Sequence, residues 1–366
     1  MNILITNFHL KDGGGHKTYI KYLFKFLIDH HSRVYIALPK NSLLYSSIKK
    51  DYPAFVFDVE FPTKINEAIN LLKNLFLLNK IIKEHNIEIV HVNGSPDHKV
   101  IALAKWLFRL NFKIVRTKHD SFDINNSLST KKLYSKYTDH LILVSKFQKS
   151  LLNGYEFLIS KTTVIRNGID INYFKPSNPC MTIKNELGID KNDLVMISNA
   201  GTAKHKGWHF LHFALEKIDE KKRDRIKVIL LGNQPEMNFI KKLKLQNFIF
   251  TGYKEDVRDY LAIADVGFVL SYKVETISYA CREMMSMGKP VIVSNFAGLP
   301  ENINNYSDGW IVDIDQPDAL SSILENLPFY DLQTYSANAR KKAIDKFDIN
   351  QKNEKLFSIY KHLTKQ

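Results

Sequence analysis

A chain of 366 residues is too long for one ordinary core and suits two domains of average size, with one cleft between them. Hydrophobic residues at 45% and charged residues at 25% exclude disordered and fibrous classes and call for a packed core. The net charge of +14 is concentrated: residues 1–165 carry 24 basic against 13 acidic side chains, so this half either meets something anionic or presents a solvated lysine-rich surface.

The opening residues, Met1-Asn2-Ile3-Leu4-Ile5-Thr6, lack the basic start and cleavage site of a secretory signal and read as a buried strand. Lys11-Asp12-Gly13-Gly14-Gly15-His16 follows, then a helical spacing of Tyr19, Ile20, Leu23, Phe24 and Leu27. A glycine backbone approaches a phosphate closely, and the helix start adds partial positive charge. The spacing is neither the dinucleotide fingerprint nor a P-loop, and taken alone it reads first as a tight turn.

Apolar runs at Val34–Ala37, Ile89–Val92, Lys113–Thr117 and Leu141–Val144 alternate with amphipathic stretches, as in a parallel sheet with crossover helices. Lys73 and Lys80 interrupt the most apolar stretch, Leu71–Ile82, which falls short of the roughly 20 residues of a spanning helix. Lys99–Lys113 mixes Trp106, Leu107 and Leu110 with Lys105 and Arg109, and Lys131–Tyr137 repeats the mixture. Such stripes suit an anionic bilayer interface or a core-facing helix with snorkelling lysines. His119 stands just past a strand, where ligands gather in doubly wound sheets, although a lone histidine there is more often structural.

After a connection placed at Asn167–Leu187, the strand pattern restarts with Leu194–Ser198, Val228–Leu231, Phe248–Thr251, Val266–Leu270 and Val291–Ser294. Asn199-Ala200-Gly201-Thr202-Ala203-Lys204-His205-Lys206-Gly207 brings Lys204 and Lys206 to a helix start, where they could neutralise a diphosphate; a basic surface turn would read the same. Glu275-Thr276-Ile277-Ser278-Tyr279-Ala280-Cys281-Arg282-Glu283 sets one carboxylate in a loop and one on a helix, both able to accept hydrogen bonds from sugar and ribose hydroxyls. The plainer alternative is two unrelated acids. Cys180 and Cys281 are too few and too far apart for a disulfide framework or a zinc site, which fits a reducing cytoplasm.

In order and spacing, the glycine loop, His119, Val144-Ser145, Asn167-Gly168-Ile169-Asp170 with Phe174, Lys206-Gly207, Thr251-Gly252-Tyr253, Ala264-Asp265-Val266, the two glutamates and Gly298-Leu299-Pro300-Glu301 resemble the family 4 retaining glycosyltransferases of the GT-B fold. The resemblance covers nearly the whole chain. It implies an α/β protein with two Rossmann-like domains, residues 1–170 and 188–345, facing each other across a cleft, and a C-terminal helix at about 350–366 crossing back to the first domain. It implies a retaining, metal-independent transferase that moves a sugar from a UDP- or GDP-sugar to a glycan or lipid-linked glycan acceptor in lipopolysaccharide, O-antigen or capsule biosynthesis. The nucleotide-sugar is a substrate, no cofactor is expected, and no Asp-x-Asp motif is assigned to a metal. No nucleic-acid partner is expected; the expected place is the cytoplasm, at the inner membrane face where the acceptor is lipid-linked and the membrane anionic.

By the same resemblance, Glu283 holds the ribose hydroxyls, Glu275 the sugar hydroxyls, and His119 lies beside the sugar. Gly252 and Tyr253 meet the base, the backbone of Thr276, Ile277 and Ser278 meets the diphosphate, Lys206 neutralises its developing charge, and Gly14 and Gly15 close over the phosphates. The chain departs from the pattern at Gly201, where the family carries Arg and Lys204 would substitute, and at Thr276 and Ser278, where it carries Gly and Pro. The competing readings are a nucleotide-sugar epimerase of the same fold and a non-catalytic protein that binds anionic surfaces.

Overall fold

The computed structural model describes every residue except 11–14, 242, 244 and 366. The chain divides into two compact units, Met1–Arg166 with Asn350–Gln366, and Asn167–Ile349.

In the first unit, strands β1 (Asn2–Thr6), β2 (Arg33–Leu38), β3 (Val56–Asp58), β4 (Ile89–Val92), β5 (Lys113–Lys118), β6 (His140–Leu143) and β7 (Thr162–Val164) form one parallel sheet in the order β3-β2-β1-β4-β5-β6-β7. Between them run helices α1 (Gly15–Asp29), α2 (Leu43–Asp51), α3 (Ala68–Glu84), α4 (Ser95–Leu107) and α5 (Leu128–Tyr137). Strands β1 and β4 are apolar on both faces because helices cover both, so Ile3, Leu4, Ile5, Ile89 and Val90 are fully buried. The chain steps from β1 outward to β3, then returns to β4 on the other side of β1. This reversal opens a crevice beyond the carboxyl ends of β1 and β4, where such sheets bind ligands.

The second unit repeats the plan. Strands β8 (Leu194–Ser198), β9 (Ile226–Leu231), β10 (Phe248–Gly252), β11 (Val266–Val269), β12 (Val291–Ser294) and β13 (Gly309–Val312) stand in the order β10-β9-β8-β11-β12-β13, all parallel, with the reversal between β8 and β11. Its helices are α6 (Met181–Glu186), α7 (Trp208–Leu215), α8 (Glu220–Asp224), α9 (Met237–Ile240), α10 (Arg258–Ala262), α11 (Tyr279–Ser286), α12 (Pro317–Asn326) and α13 (Leu332–Phe347). Two apolar cores flank the sheet, one around Ile197, Met284 and Val293, the other around Trp208, Phe268 and Trp310.

The stretch 167–187, expected as a connection, differs from that reading: Ile169 and Phe174 are buried in the core of the second unit, with Ile183 and Leu187 packed against it. Helix α14 (Ile349–Thr364) returns the chain to the first unit, where Phe357 packs edge-on to Phe26, His30 Nε2 lies 2.8 Å from Glu354 Oε1, and the Tyr360 hydroxyl bonds the His91 ring. Strands β3, β7 and β13, which carry no clear signal in the sequence, all lie at sheet edges.

Candidate functional site

In the second unit, β8 ends at the reversal and delivers Asn199, followed by the loop to Gly207. Trp208 Nε1 donates to Thr202 O at 2.7 Å and anchors that loop from behind. Gly207 has φ of +73°, and a Cβ there would stand 1.8 Å from Leu270 O, so the loop passes directly against the chain leaving β11. Only glycine meets both conditions. The contact brings Lys206 beside the other loop of the reversal: Lys206 Nζ lies 3.1 Å from Glu275 Oε2. Ser271 Oγ at 3.4 Å and the Thr276 N–H at 3.2 Å also donate to the Glu275 carboxylate, which is therefore a fixed group and not a mobile acid. Lys204 lies 5.2 Å from the centroid of the Phe239 ring, a cation–π contact. Gly201 has φ of +92° and open space where a Cβ would lie.

Helix α11 starts at Ser278, whose Oγ accepts from Cys281 N at 3.3 Å. Ser278 has φ of +56°, a conformation that glycine adopts without strain and serine does not, so this turn is strained. The turn is pinned from below. Arg282, fully buried, donates through Nε to Asn302 Oδ1 at 2.8 Å, bonds Asn167 O, and lies over the Phe347 ring at 4.4 Å. Asn302 Nδ2 in turn donates to Ile277 O at 2.7 Å. The Ile277 side chain is core, leaving only its backbone for any ligand role.

Glu283 follows Arg282 on α11, about 100° further round the helix, and Asn199 Nδ2 donates to its Oε2 at 2.6 Å. Burial lifts the Glu283 carboxyl to about 7, against a smaller downward pull from the Asn199 amide. A cavity of about 850 Å³, a size typical of small-molecule sites, is lined by Asn199, Gly201, Lys204, Lys206, Tyr253 and Glu283 among others. Tyr253 is 75% exposed and follows Gly252, whose φ of +76° turns the chain at the end of β10. Glu275, Gly252, Thr276, Ile277 and Ser278 do not line this cavity; Glu275 is linked to it through Lys206.

In the first unit, His119 follows β5 and is buried, with Nε2 at 2.9 Å from Asn93 Oδ1. Its ring packs against His16 and Tyr19, at centroid distances of 4.5 and 4.7 Å. Burial first, then the neighbouring His16, His91 and Arg116, holds the His119 pKa well below the ordinary histidine value, so the ring is neutral. Burial foremost, then His9 and Arg116 against an upward pull from Asp120, brings His16 to about 4. Gly15 opens α1, whereas Gly14 lies outside the described residues. Beneath this cluster, Thr117 Oγ1 bonds both His91 Nε2 at 2.8 Å and the Tyr19 hydroxyl at 3.1 Å.

The stretch 99–113, which comprises most of α4 and the chain that follows it, is divided between core and surface. Leu110 is buried, while Trp106 is 60% exposed beside a groove of about 530 Å³ between α4 and α5, lined by Lys99, Leu103, Trp106, Lys132 and Tyr137. The Asp-x-Asp triplet in the sequence, Asp313-Ile314-Asp315, is not part of the cavity lining, and Asp313 Oδ1 accepts from Asn295 Nδ2 at 2.9 Å. Among the described residues, no group of three or more His, Cys, Asp or Glu is placed to hold a metal, and no helix is long and apolar enough to cross a membrane.

Asn199, Asn93, Arg282 and Asn302 escaped sequence reasoning. Their bonds to Glu283, His119, Asn167, Asn302 and Ile277 span 20 to 115 residues, so no local spacing marks them.

Comparison with known proteins agrees with the two-unit plan. The family model described as Glycosyltransferase Family 4 matches residues 13–173, and that described as Glycosyl transferases group 1 matches residues 181–343. The chain is similar, at 26% identity over 79% of each sequence, to UDP-Gal:alpha-D-GlcNAc-diphosphoundecaprenol alpha-1,3-galactosyltransferase of Escherichia coli. Among solved structures it is similar to a glycosyltransferase from Rickettsia africae, with TM-score 0.87 and 25% identity over 100% of this chain and 99% of that one. It also shares the fold of Anabaena HepE, solved with UDP, with TM-score 0.83 and 20% identity over 99% of this chain and 100% of that one. With two parallel α/β units and both domain models in sequence, the chain belongs to the family 4 glycosyltransferases of the GT-B fold.

Proposed function

We propose that this glycosyltransferase moves a sugar from a UDP- or GDP-sugar to a glycan or lipid-linked glycan acceptor of a bacterial surface polysaccharide, with retention of anomeric configuration and without a metal. The observation that carries the reading is one cavity in the second unit that joins a half-buried carboxylate, Glu283, to two lysines, Lys204 and Lys206. A carboxylate accepts from ribose hydroxyls, and ammonium groups neutralise a diphosphate.

Glu283 is assigned to the ribose, Gly252 and Tyr253 to the base, and Lys206 to the diphosphate, with Lys204 in place of the family arginine. Glu275 and His119 are assigned to the transferred sugar, and the backbone of Thr276 to Ser278 and of Gly14 and Gly15 to the phosphates. As the bond to the leaving group loosens, charge gathers on the diphosphate, and a fixed lysine there lowers the barrier more than it favours the bound donor. A phosphate oxygen of the leaving group then takes the acceptor proton, so no carboxylate serves as base. The E. coli relative, named for a UDP-sugar and a diphosphoundecaprenol acceptor, supports this donor and acceptor class. The basic, partly apolar surface around Trp106 and Lys132 supports contact with an anionic membrane bearing such an acceptor.

The test is incubation with a panel of sugar nucleotides and lipid-linked acceptors in excess EDTA, with the anomeric configuration of the product read by NMR. Acceptor-dependent release of nucleotide with a retained anomer is expected. Release without acceptor, inversion, or loss of transfer in EDTA would each refute the corresponding part.

A further inference from the structure

A buried hydrogen-bond chain in the first unit ends on His119 and fixes which of its nitrogens carries the proton. It starts at Asp97 in the first turn of α4, fully buried, whose Oδ2 accepts from Thr6 Oγ1 at 2.7 Å and from Asn93 N at 2.9 Å. Thr6 closes β1 and Asn93 follows β4, so the carboxylate ties together the two strand ends at the sheet reversal. Asn93 Nδ2 donates to Thr6 O at 3.0 Å. A peptide carbonyl only accepts, so the Asn93 amide must turn its NH₂ to Thr6 and its oxygen to His119. That oxygen, 2.9 Å from His119 Nε2, also only accepts. Nε2 therefore carries the proton, and Nδ1 is the basic nitrogen of the ring.

The surroundings leave this arrangement little freedom. Asn93 is 1% exposed. At the next residue, Gly94, a Cβ would stand 2.1 Å from the Phe8 ring and 2.7 Å from Asp97 Oδ1, so a side chain there would break the chain of bonds. The Arg116 guanidinium bonds Gly94 O and, at 3.2 Å, Ser95 Oγ, holding the same turn from the other side.

We propose that Asn93 is a positioning residue of the transfer reaction, holding His119 as the neutral Nε2–H tautomer so that it meets the sugar as a hydrogen-bond acceptor through Nδ1 and not as a proton donor. The proposal rests on the assignment of His119 to the transferred sugar. Asn93 itself touches only the protein.

Long-range ¹H–¹⁵N spectra of the full-length protein labelled at histidine nitrogens test it, with His119 assigned by difference from His119→Gln. The expected spectrum is a neutral Nε2–H ring that does not titrate between pH 6 and 8. In Asn93→Ala the two nitrogens should move towards averaged tautomers, with kcat falling roughly 10- to 100-fold, as for other groups that orient a functional histidine, and donor KM changing little. A wild-type His119 that is protonated on Nδ1, or charged at pH 7, overturns the proposal without any variant. So does an Asn93→Ala enzyme with unchanged tautomer or unchanged kcat. Turnover of His119→Ala separates the two claims: if it equals wild type, the catalytic assignment of His119 fails, and the tautomer result still stands or falls by itself.

Discussion

Glu283 is a carboxylate in two environments. In the unliganded pocket, burial raises it to about 7, whereas ribose hydroxyls donating to it would favour the charged form and draw the value down. Donor binding then releases a proton, so affinity for UDP or GDP should rise from pH 6 to pH 8, more steeply in wild type than in Glu283→Gln. Calorimetry in buffers of different ionisation enthalpy measures that proton directly. The linkage also has a sign for stability. A folded pKa raised above the unfolded value gives a contribution fully present below about 4.5 and lost as pH rises through about 7. Glu283→Gln should therefore raise the melting temperature of the unliganded protein more at pH 8 than at pH 5. Lys206 and His119 separate differently. Lys206→Ala removes a cation that faces developing charge and should lower kcat roughly 100-fold or more, whereas His119→Ala should spare donor affinity and lower turnover; a Lys206→Ala enzyme with normal kcat would shift the role to Lys204. The charged residues at this scale were legible because each lies in an ordered motif. Their amide partners were not, since Asn199 meets Glu283 across 84 residues through the adjacency of β8 and β11.

At the scale of elements, strands with both faces covered announce themselves as continuous apolar runs, and the central strands of both sheets stand where those runs fall. The edge strands β3 and β7 are short and only partly buried, and β13 is a four-residue strand that opens on a glycine and holds one half-buried residue, so none of them carries the pattern. The turn at Gly207 joins element to site, because its approach to Leu270 O is what carries Lys206 to Glu275. Gly207→Ala adds a Cβ where backbone already stands and forces a positive φ on alanine. We expect a loss at the upper end of the roughly 1–3 kcal/mol that overpacking costs, read from denaturant midpoints, together with a drop in donor affinity. Equal stability of the variant would mean that the loop does not rest on β11 as described.

At the scale of the molecule, the chain passes between its units twice, after Arg166 and after Ile349, and the returning helix α14 is bound into the first unit through His91 and His30. Basic charge collects in the first unit and the nucleotide-sized cavity in the second, the division that the proposed function would use by giving the acceptor to one unit and the donor to the other. The donor half of that claim is tested without knowing the acceptor, since a ligand that binds only the folded state stabilises it by about 2.7 kcal/mol at 100 times its Kd. The decisive measurement is the melting temperature of the full-length protein with UDP and with GDP, for wild type and Glu283→Ala. The account predicts that at least one nucleoside diphosphate raises it in wild type and that the shift is lost or sharply reduced in the variant. No shift with either nucleotide, or an equal shift in Glu283→Ala, would contradict it.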